Sequence, residues 1–166
     1  MVSGLSCIKV QLHILFISLF LAGGCAPPFF PALMPYPKEM QQLQEKVHLD
    51  EYINVSIKNG FDENLKPALE IIFQSINKIA KKNSTLTYDA DKPALINISC
   101  DKPISDTLDL NADESYQLQI QNNHIEITAP ECIGALRGLQ TLVQLYVKDR
   151  KYGYFPGVSI KDAPRF

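Results

Sequence analysis

Two alternating apolar runs followed directly by an amphipathic segment constrain the fold of this 166-residue chain more than any other feature. Apolar side chains occupy every second position from Tyr116 to Ile120 and again from Ile125 to Ala129. Asn122-Asn123 separates the two runs and is typical of a tight turn, so the pattern predicts an antiparallel β-hairpin. Thr128 and Glu131 are spaced as a capping box, which predicts that a helix starts where the hairpin ends.

That helix carries two glycines one turn apart, Gly134 and Gly138. Each glycine costs about 1 kcal/mol in a helix relative to alanine. We therefore expect a neighbouring strand or helix to approach closely at this face. The predicted apolar face of the helix consists of Ile133, Leu136, Leu139, Leu142, Val143 and Tyr146.

The preceding part of the chain also mixes strand and helix patterns. Residues 53–57 alternate as a half-buried strand, with a weaker strand around Val47. A first helix is predicted from a cap at Asp62 or Asn64, with an apolar stripe made of Leu65, Ala68, Leu69, Ile72, Ile76 and Ile79. Short strands follow at residues 95–98 and near Val158 and Ile160. These patterns predict an α+β fold: a mainly antiparallel sheet with two helices packed on one face.

The N-terminal segment has the pattern of a targeting sequence. The apolar run over residues 14–21 is too short to span a membrane comfortably and is typical of a secretory signal. Leu21-Ala22-Gly23-Gly24-Cys25 resembles a bacterial lipoprotein processing site, which makes Cys25 the lipidation candidate. The predicted organisation is a lipoprotein-type signal peptide over residues 1–24, a tether over 25–34 and one domain over 35–166. An ordinary signal peptide cut nearby and an uncleaved anchor are the alternatives.

This leader predicts an exported protein, either a bacterial lipoprotein attached to the membrane through Cys25 or a periplasmic or secreted protein. Three sequons begin at Asn54, Asn83 and Asn97, but they matter only in a eukaryotic secretory route. The lipoprotein-like leader argues against that route. Lys plus Arg is 16 and Asp plus Glu is 18, so no basic excess favours nucleic acid as a partner.

The metal-ligating residue types are sparse. His13 falls in the leader, and His48 and His124 lie in separate strand-like segments without a His-Glu-x-x-His motif, so we expect no metal site and no cofactor. Cys100 and Cys132 remain outside the leader. They fit one disulfide in an oxidising compartment, or two small buried apolar side chains, and the second interpretation is preferred.

Several ordered blocks resemble a known family. They are residues 113–120 (Asp-Glu-Ser-Tyr-Gln-Leu-Gln-Ile), 125–129 (Ile-Glu-Ile-Thr-Ala), 134–145 (Gly-Ala-Leu-Arg-Gly-Leu-Gln-Thr-Leu-Val-Gln-Leu) and 160–166 (Ile-Lys-Asp-Ala-Pro-Arg-Phe). This set, opened by Pro35-Tyr36-Pro37, resembles the N-terminal, non-catalytic domain of family 20 glycoside hydrolases, the β-N-acetylhexosaminidases. The resemblance covers residues 35–166.

The resemblance implies that this domain packs against a following (β/α)8 barrel, which carries an adjacent Asp-Glu pair acting on terminal N-acetylhexosamine residues with the substrate's acetamido group as nucleophile. The chain ends at Phe166, where the resemblance places the start of the barrel. Asp113-Glu114 matches the lead-in to the hairpin and not that pair, so we expect no catalytic residue.

The resulting prediction is the N-terminal accessory domain of an exported β-N-acetylhexosaminidase of carbohydrate metabolism, inactive as this short chain, with the barrel as its partner. The alternative is a lipid-anchored glycan- or protein-binding module without catalysis.

Overall fold

A computed structural model describes residues 32–59, 62–81, 83–104, 111–150 and 152–163. The predicted signal peptide, Cys25 and most of the predicted tether lie outside this part of the chain. The side chains of the two predicted helix caps, Asp62 and Asn64, also lie outside it.

The described chain contains a seven-stranded sheet and two helices. In chain order these are β1 (Glu39–His48), β2 (Tyr52–Ile57), α1 (Asp62–Ala80), β3 (Thr85–Thr87), β4 (Ile96–Lys102), β5 (Tyr116–Gln121), β6 (His124–Glu131), α2 (Cys132–Leu145) and β7 (Tyr154–Asp162). The sheet order is β1-β7-β5-β6-β4-β2-β3. Neighbours from β1 to β6 pair antiparallel, and those from β6 to β3 pair parallel. The predicted α+β fold is confirmed, with a sheet that is mixed.

One face of the sheet forms the core because its strands alternate. Fully buried side chains on this face include Ile53, Ile96, Ile98, Leu118, Ile120, Ile125, Ile127, Val158 and Ile160. The buried sides of both helices belong to the same apolar cluster, so the helices cover this one face. The opposite face is polar, with Ser56, Asn97, Gln117, Gln119, Glu126, Thr128 and Ser159 at the intervening positions. The two sides of the sheet therefore differ sharply in chemistry.

The two helical glycines let α2 lie directly on the hairpin. A Cβ added to Gly134 would collide with the carbonyl oxygen of Ser115, just before β5. A Cβ added to Gly138 would lie 2.9 Å from Ile127 Cγ2 and 3.2 Å from a ring carbon of Tyr116. The expected close approach is confirmed, and its partner is the β5–β6 hairpin.

Four local predictions are corrected. The apolar face of α2 is rotated: Ala135 and Leu145 are fully buried, whereas the predicted Ile133, Leu136 and Val143 are only partly buried. The capping box is wrong: Thr128 lies within β6, and Glu131 directly precedes α2 without a side-chain cap hydrogen bond. The apolar stripe of α1 is rotated, because Phe73 is fully buried while Ile79 is 49% exposed. The short strand predicted near Val158 is nine residues long and lies inside the sheet, between β1 and β5.

A disulfide joins Cys100 in β4 to Cys132, the first residue of α2, across 32 residues of sequence. Both side chains are fully buried, so the preferred interpretation of two separate buried thiols was right about burial and wrong about bonding. The bond ties the start of α2 to the strand beside β6. It therefore fixes the helix layer to the sheet covalently.

Candidate interaction surface

A groove of roughly 410 Å³ lies on the helix side of the domain. We call it the α2 groove. It is lined by Met34 and Pro35 from the segment before β1, Glu114 and Tyr116 at the start of β5, Arg137, Gln140, Thr141 and Gln144 from α2, and Asp162 and Ala163 at the end of β7. The groove thus forms where three distant parts of the sequence meet beside one helix.

A bidentate ion pair lies in the α2 groove. Arg137 Nε donates to Glu114 Oε2 at 2.9 Å, and Arg137 Nη2 donates to Glu114 Oε1 at 3.0 Å. The hydrogen bonds from Arg137 lower the pKa of Glu114, and Glu114 in turn raises the pKa of Arg137. Arg137 Nη1 also donates to Gln140 Oε1 at 3.3 Å. Both charges therefore persist at neutral pH, and each is directed at the other.

The remaining polar contacts fasten the segment before β1 to α2 and to the end of β7. The backbone N–H of Met34 donates to Gln144 Oε1 at 2.9 Å, and the N–H of Lys38 donates to Asp162 Oδ1 at 3.0 Å. The hydroxyls of Tyr116 and Thr141 lie 2.7 Å apart, and burial raises the pKa of Tyr116. The polar walls of the groove thus already satisfy one another.

Large apolar side chains are exposed on this side of the molecule. Met34 in the wall of the groove is 78% exposed, and Ile71 on α1 is 64% exposed. Apolar area beside internally paired polar groups is suited to contact with another protein surface.

The adjacent carboxylates and the two histidines noted in the sequence each have their own local environment. Asp113 accepts a hydrogen bond from the backbone N–H of Ser115 at 2.9 Å, and hydrogen bonding with Ser115 lowers the Asp113 pKa. Its neighbour Glu114 is held by Arg137, so the two adjacent carboxylates serve separate local contacts. His48 ends β1 with Nδ1 3.9 Å from Asp149 Oδ2, and His124 begins β6.

Within the described ranges, no group of three or more His, Cys, Asp or Glu side chains could hold a metal ion. Neither described helix is long and apolar enough to cross a membrane.

Sequence reasoning missed the α2 groove because its walls are far apart in the chain; Met34 and Gln144, for example, are separated by 110 positions. The only signal that pointed toward it was the amphipathic pattern of α2, with Arg137, Gln140 and Gln144 on its polar face.

Comparisons with known proteins identify the domain. The family described as "beta-acetyl hexosaminidase like" matches residues 33–145. β-Hexosaminidase subunit A1 of Dictyostelium discoideum is 40% identical over 146 residues, covering 87% of this chain and 23% of the relative. The β-hexosaminidase subunit β of Rattus norvegicus is 28% identical, with 82% of this chain and 27% of the relative covered.

Among solved structures, the chitobiase of Flavobacterium johnsoniae superposes with a TM-score of 0.69 and 30% identity, covering 81% of this chain and 21% of that one. The chain therefore spans about a quarter of the length of the curated relatives that it matches. The family match, the identity to these relatives and the shared fold lead to one conclusion: the chain belongs to the β-acetyl hexosaminidase-like family, the N-terminal domain of the family 20 β-hexosaminidases.

Proposed function

We propose that this domain is the non-catalytic accessory part of an exported β-N-acetylhexosaminidase and that its helix side packs against the catalytic domain. The observation that carries the proposal is the family match combined with the share of each relative that is covered, about a quarter. The hydrolysis of terminal N-acetylhexosamine residues is assigned to the remaining three quarters of such an enzyme.

The difference between the two sides of the sheet supports this choice of surface. The open face presents Gln117, Gln119 and Thr128, which water solvates well. The helix side instead presents Met34, which lines the α2 groove, and Ile71, which is exposed on α1. Removing apolar area from water stabilises a contact by roughly 25 cal/mol per Å², so covering Met34 and Ile71 stabilises a contact on the helix side.

The contacts of Glu114 in the α2 groove support the absence of catalysis by this carboxylate. A glycosidase needs a carboxyl group that can donate and accept a proton at the scissile bond. Glu114 is held in its ionised form by two hydrogen bonds from Arg137. Its geometry is that of an anchor for α2.

Self-association of the purified chain tests the proposed contact surface. A chain with Met34 and Ile71 exposed is expected to self-associate as its concentration rises, measured by sedimentation velocity. The double variant Met34→Ser/Ile71→Ser is expected to shift toward monomer. Gln117→Ala on the open face is the matched control and is expected to behave as the wild type. A wild type that stays monomeric throughout, or an equal effect of the control, would contradict the proposal.

The alternative function, a glycan- or protein-binding module without catalysis, is favoured in its protein-binding form by the same exposed apolar residues. Titration of the chain with chito-oligosaccharides tests the glycan-binding form of this alternative. Saturable binding by the isolated chain would support the module, whereas the accessory-domain proposal expects none.

Export is proposed on two features. The apolar run over residues 14–21 is typical of a secretory signal, and the Cys100–Cys132 bond belongs in an oxidising compartment. Lipidation of Cys25 stays a prediction. Intact mass of the chain produced in a bacterium tests it: a diacylglycerol adduct that Cys25→Ser removes would support the lipoprotein form, and an unmodified mature chain would contradict it.

A further inference from the structure

Another cleft, of roughly 360 Å³, lies toward the β3 end of the sheet, away from the α2 groove. We call it the β2 cleft. It lies where β3 ends: β3 pairs with β2 only as far as Asn54, so residues 55–57 pair with β4 on one side and, in the described part of the chain, with no strand on the other. The end of β2, Asn97 in β4, Lys66 in α1 and the connection from β3 to β4 line the cleft.

One wall of the β2 cleft is the connection from β3 to β4, and it is fixed to the sheet. The strand order places β2 between β3 and β4, so this connection has to cross β2. Asn54 holds the crossing: its Nδ2 donates to the carbonyl oxygens of Asp89 and Lys92, each at 2.9 Å, and its Oδ1 accepts from the Asp89 N–H at 2.9 Å. The backbone that carries Asp89 and Lys92 is therefore preorganised beside the cleft.

The β2 cleft also lies at a favourable position in the strand arrangement. β2 and β3 are parallel and are joined through α1. Residues 55–57 end β2, and Tyr88 directly follows β3, so the cleft lies at the carboxyl ends of both strands. Sheets with helix-connected parallel strands bind ligands in the crevice outside these ends.

The β2 cleft carries an excess of positive charge in a chain whose formal net charge is −2. Its charged side chains are two lysines and one aspartate. Lys66 Nζ lies 4.9 Å from the centroid of the Tyr88 ring, and Lys92 Nζ lies 2.9 Å from Asp89 Oδ2. An ammonium group has three N–H donors, so the contact with Asp89 leaves Lys92 able to donate to a second acceptor. The lining therefore favours an anionic ligand.

We propose that the β2 cleft binds a phosphate group between the ammonium groups of Lys66 and Lys92. The Ser56 hydroxyl and the Asn97 amide, on the adjoining polar strands, supply further donors. The oxygens of phosphate are tetrahedral and accept from several directions, which suits donors that come from a helix, a connection and two strands. The volume falls in the range of small-molecule sites, roughly 300 to 1,000 Å³, so the ligand class is a phosphate ester of a small molecule.

An NMR titration of the purified chain with sodium phosphate, at an ionic strength held constant with sodium chloride, tests the site. The wild type is expected to show saturable amide shifts at Ser56 and Asn97. Lys66→Met and Lys92→Met are each expected to weaken binding about tenfold, the effect of losing one charge-assisted hydrogen bond. Methyl phosphate is expected to bind like inorganic phosphate, and acetate is expected to bind more weakly.

Lys46→Met is the matched control. Lys46 Nζ lies 4.4 Å from the centroid of the Tyr154 ring, a contact of the same kind, but Lys46 belongs to β1 and does not line the cleft. The variant removes the same charge and is expected to leave the affinity unchanged.

Asp89→Asn gives a test of opposite sign. It removes the negative charge from the cleft and keeps a side-chain oxygen for the Asp91 N–H, which donates to Asp89 Oδ1 at 3.0 Å. Phosphate is therefore expected to bind this variant more tightly than the wild type.

Several results would overturn the site: no saturable shift in the wild type, a loss in Lys46→Met equal to that in the two cleft variants, or weaker binding by Asp89→Asn. Binding of acetate as tight as that of phosphate, or no binding of methyl phosphate, would overturn the assignment to phosphate esters. These measurements do not involve a catalytic domain, so their failure leaves the proposed function untouched.

Discussion

Gly134→Ala is predicted to destabilise the domain although alanine is the better helix former. Helix propensity alone favours the substitution by about 1 kcal/mol. In the folded chain, however, the new methyl group would collide with the carbonyl oxygen of Ser115 and lie 3.1 Å from Ala129 Cβ. The first of these is a backbone atom beside a paired strand, so it cannot move aside without shifting β5 or α2.

Gly138→Ala is the matched control, one turn further along the same helix. Its new methyl group would meet side-chain atoms only, at 2.9 Å from Ile127 Cγ2 and 3.2 Å from Tyr116 Cδ2. Overpacking of this kind costs about 1 to 3 kcal/mol. Placing Gly134 at the upper end and Gly138 at the lower end gives a net loss of about 2 kcal/mol for Gly134→Ala and about zero for Gly138→Ala.

Urea denaturation and thermal unfolding, each followed by circular dichroism at neutral pH without a reducing agent, measure both variants. The expected result is a lower midpoint for Gly134→Ala at unchanged slope, with a fall in melting temperature of roughly 8 °C. Gly138→Ala is expected to stay close to the wild type. Equal stabilisation of both variants would mean that helix propensity decides the outcome and that α2 does not lie against Ser115, which would refute the reasoning.

Two further predictions concern the same stability assay. The double variant Cys100→Ala/Cys132→Ala is expected to lose about 4 kcal/mol, the loop-closure value for a crosslink spanning 32 residues, and an unchanged urea midpoint would contradict a bonded pair. Glu114→Gln is expected to cost at most about 1 kcal/mol at pH 7, because the pair with Arg137 is partly exposed. Since Arg137 lowers the pKa of Glu114, this stabilisation is present above the unfolded carboxyl pKa and is lost as the pH falls through the lowered folded value. The midpoints of wild type and variant therefore converge in acid, and a constant difference would contradict the role of the ion pair.

The parts of the fold that depend on local pattern could be predicted from the sequence. The β5–β6 hairpin and α2 follow from strict alternation and a helical apolar period, and the two glycines indicated the close packing of α2. The predicted cap failed because β6 continues pairing as far as Glu131, so Thr128 takes part in the sheet and is not free to cap a helix. Tertiary pairing there overrides a local signal.

The full length of β7 could not be predicted from local pattern, because it depends on a register shift in its partner strand β1. Pro156-Gly157 looks like a turn, yet both residues lie within β7. The register of β1 shifts between Gln42 and Lys46 opposite this point, and a Cβ on Gly157 would lie 2.9 Å from the carbonyl oxygen of Glu45. A bulge accommodates a proline that lacks an N–H and a glycine that permits close approach. The presence of Pro156 and Gly157 inside a strand is therefore explained by the bulge in the neighbouring strand β1.

The candidate surface was the least predictable part. Glu114 and Arg137 are 23 residues apart, and their bidentate contact depends on how α2 lies across the start of β5. The sequence offered Asp113-Glu114 as two adjacent carboxylates, but the fold directs them to different partners. Contacts between side chains on different elements depend on how those elements pack, and the spacing of residues along the sequence does not show this.

Turnover by the purified 166-residue chain tests the central claim most directly. A chromogenic β-N-acetylglucosaminide is incubated with the chain over a range of pH, beside a buffer blank and a preparation of Glu114→Gln. The account predicts release of chromophore no faster than the blank from either protein. Release that scales with the concentration of the chain and is abolished in Glu114→Gln would contradict it, because the domain would then carry its own catalytic carboxylate.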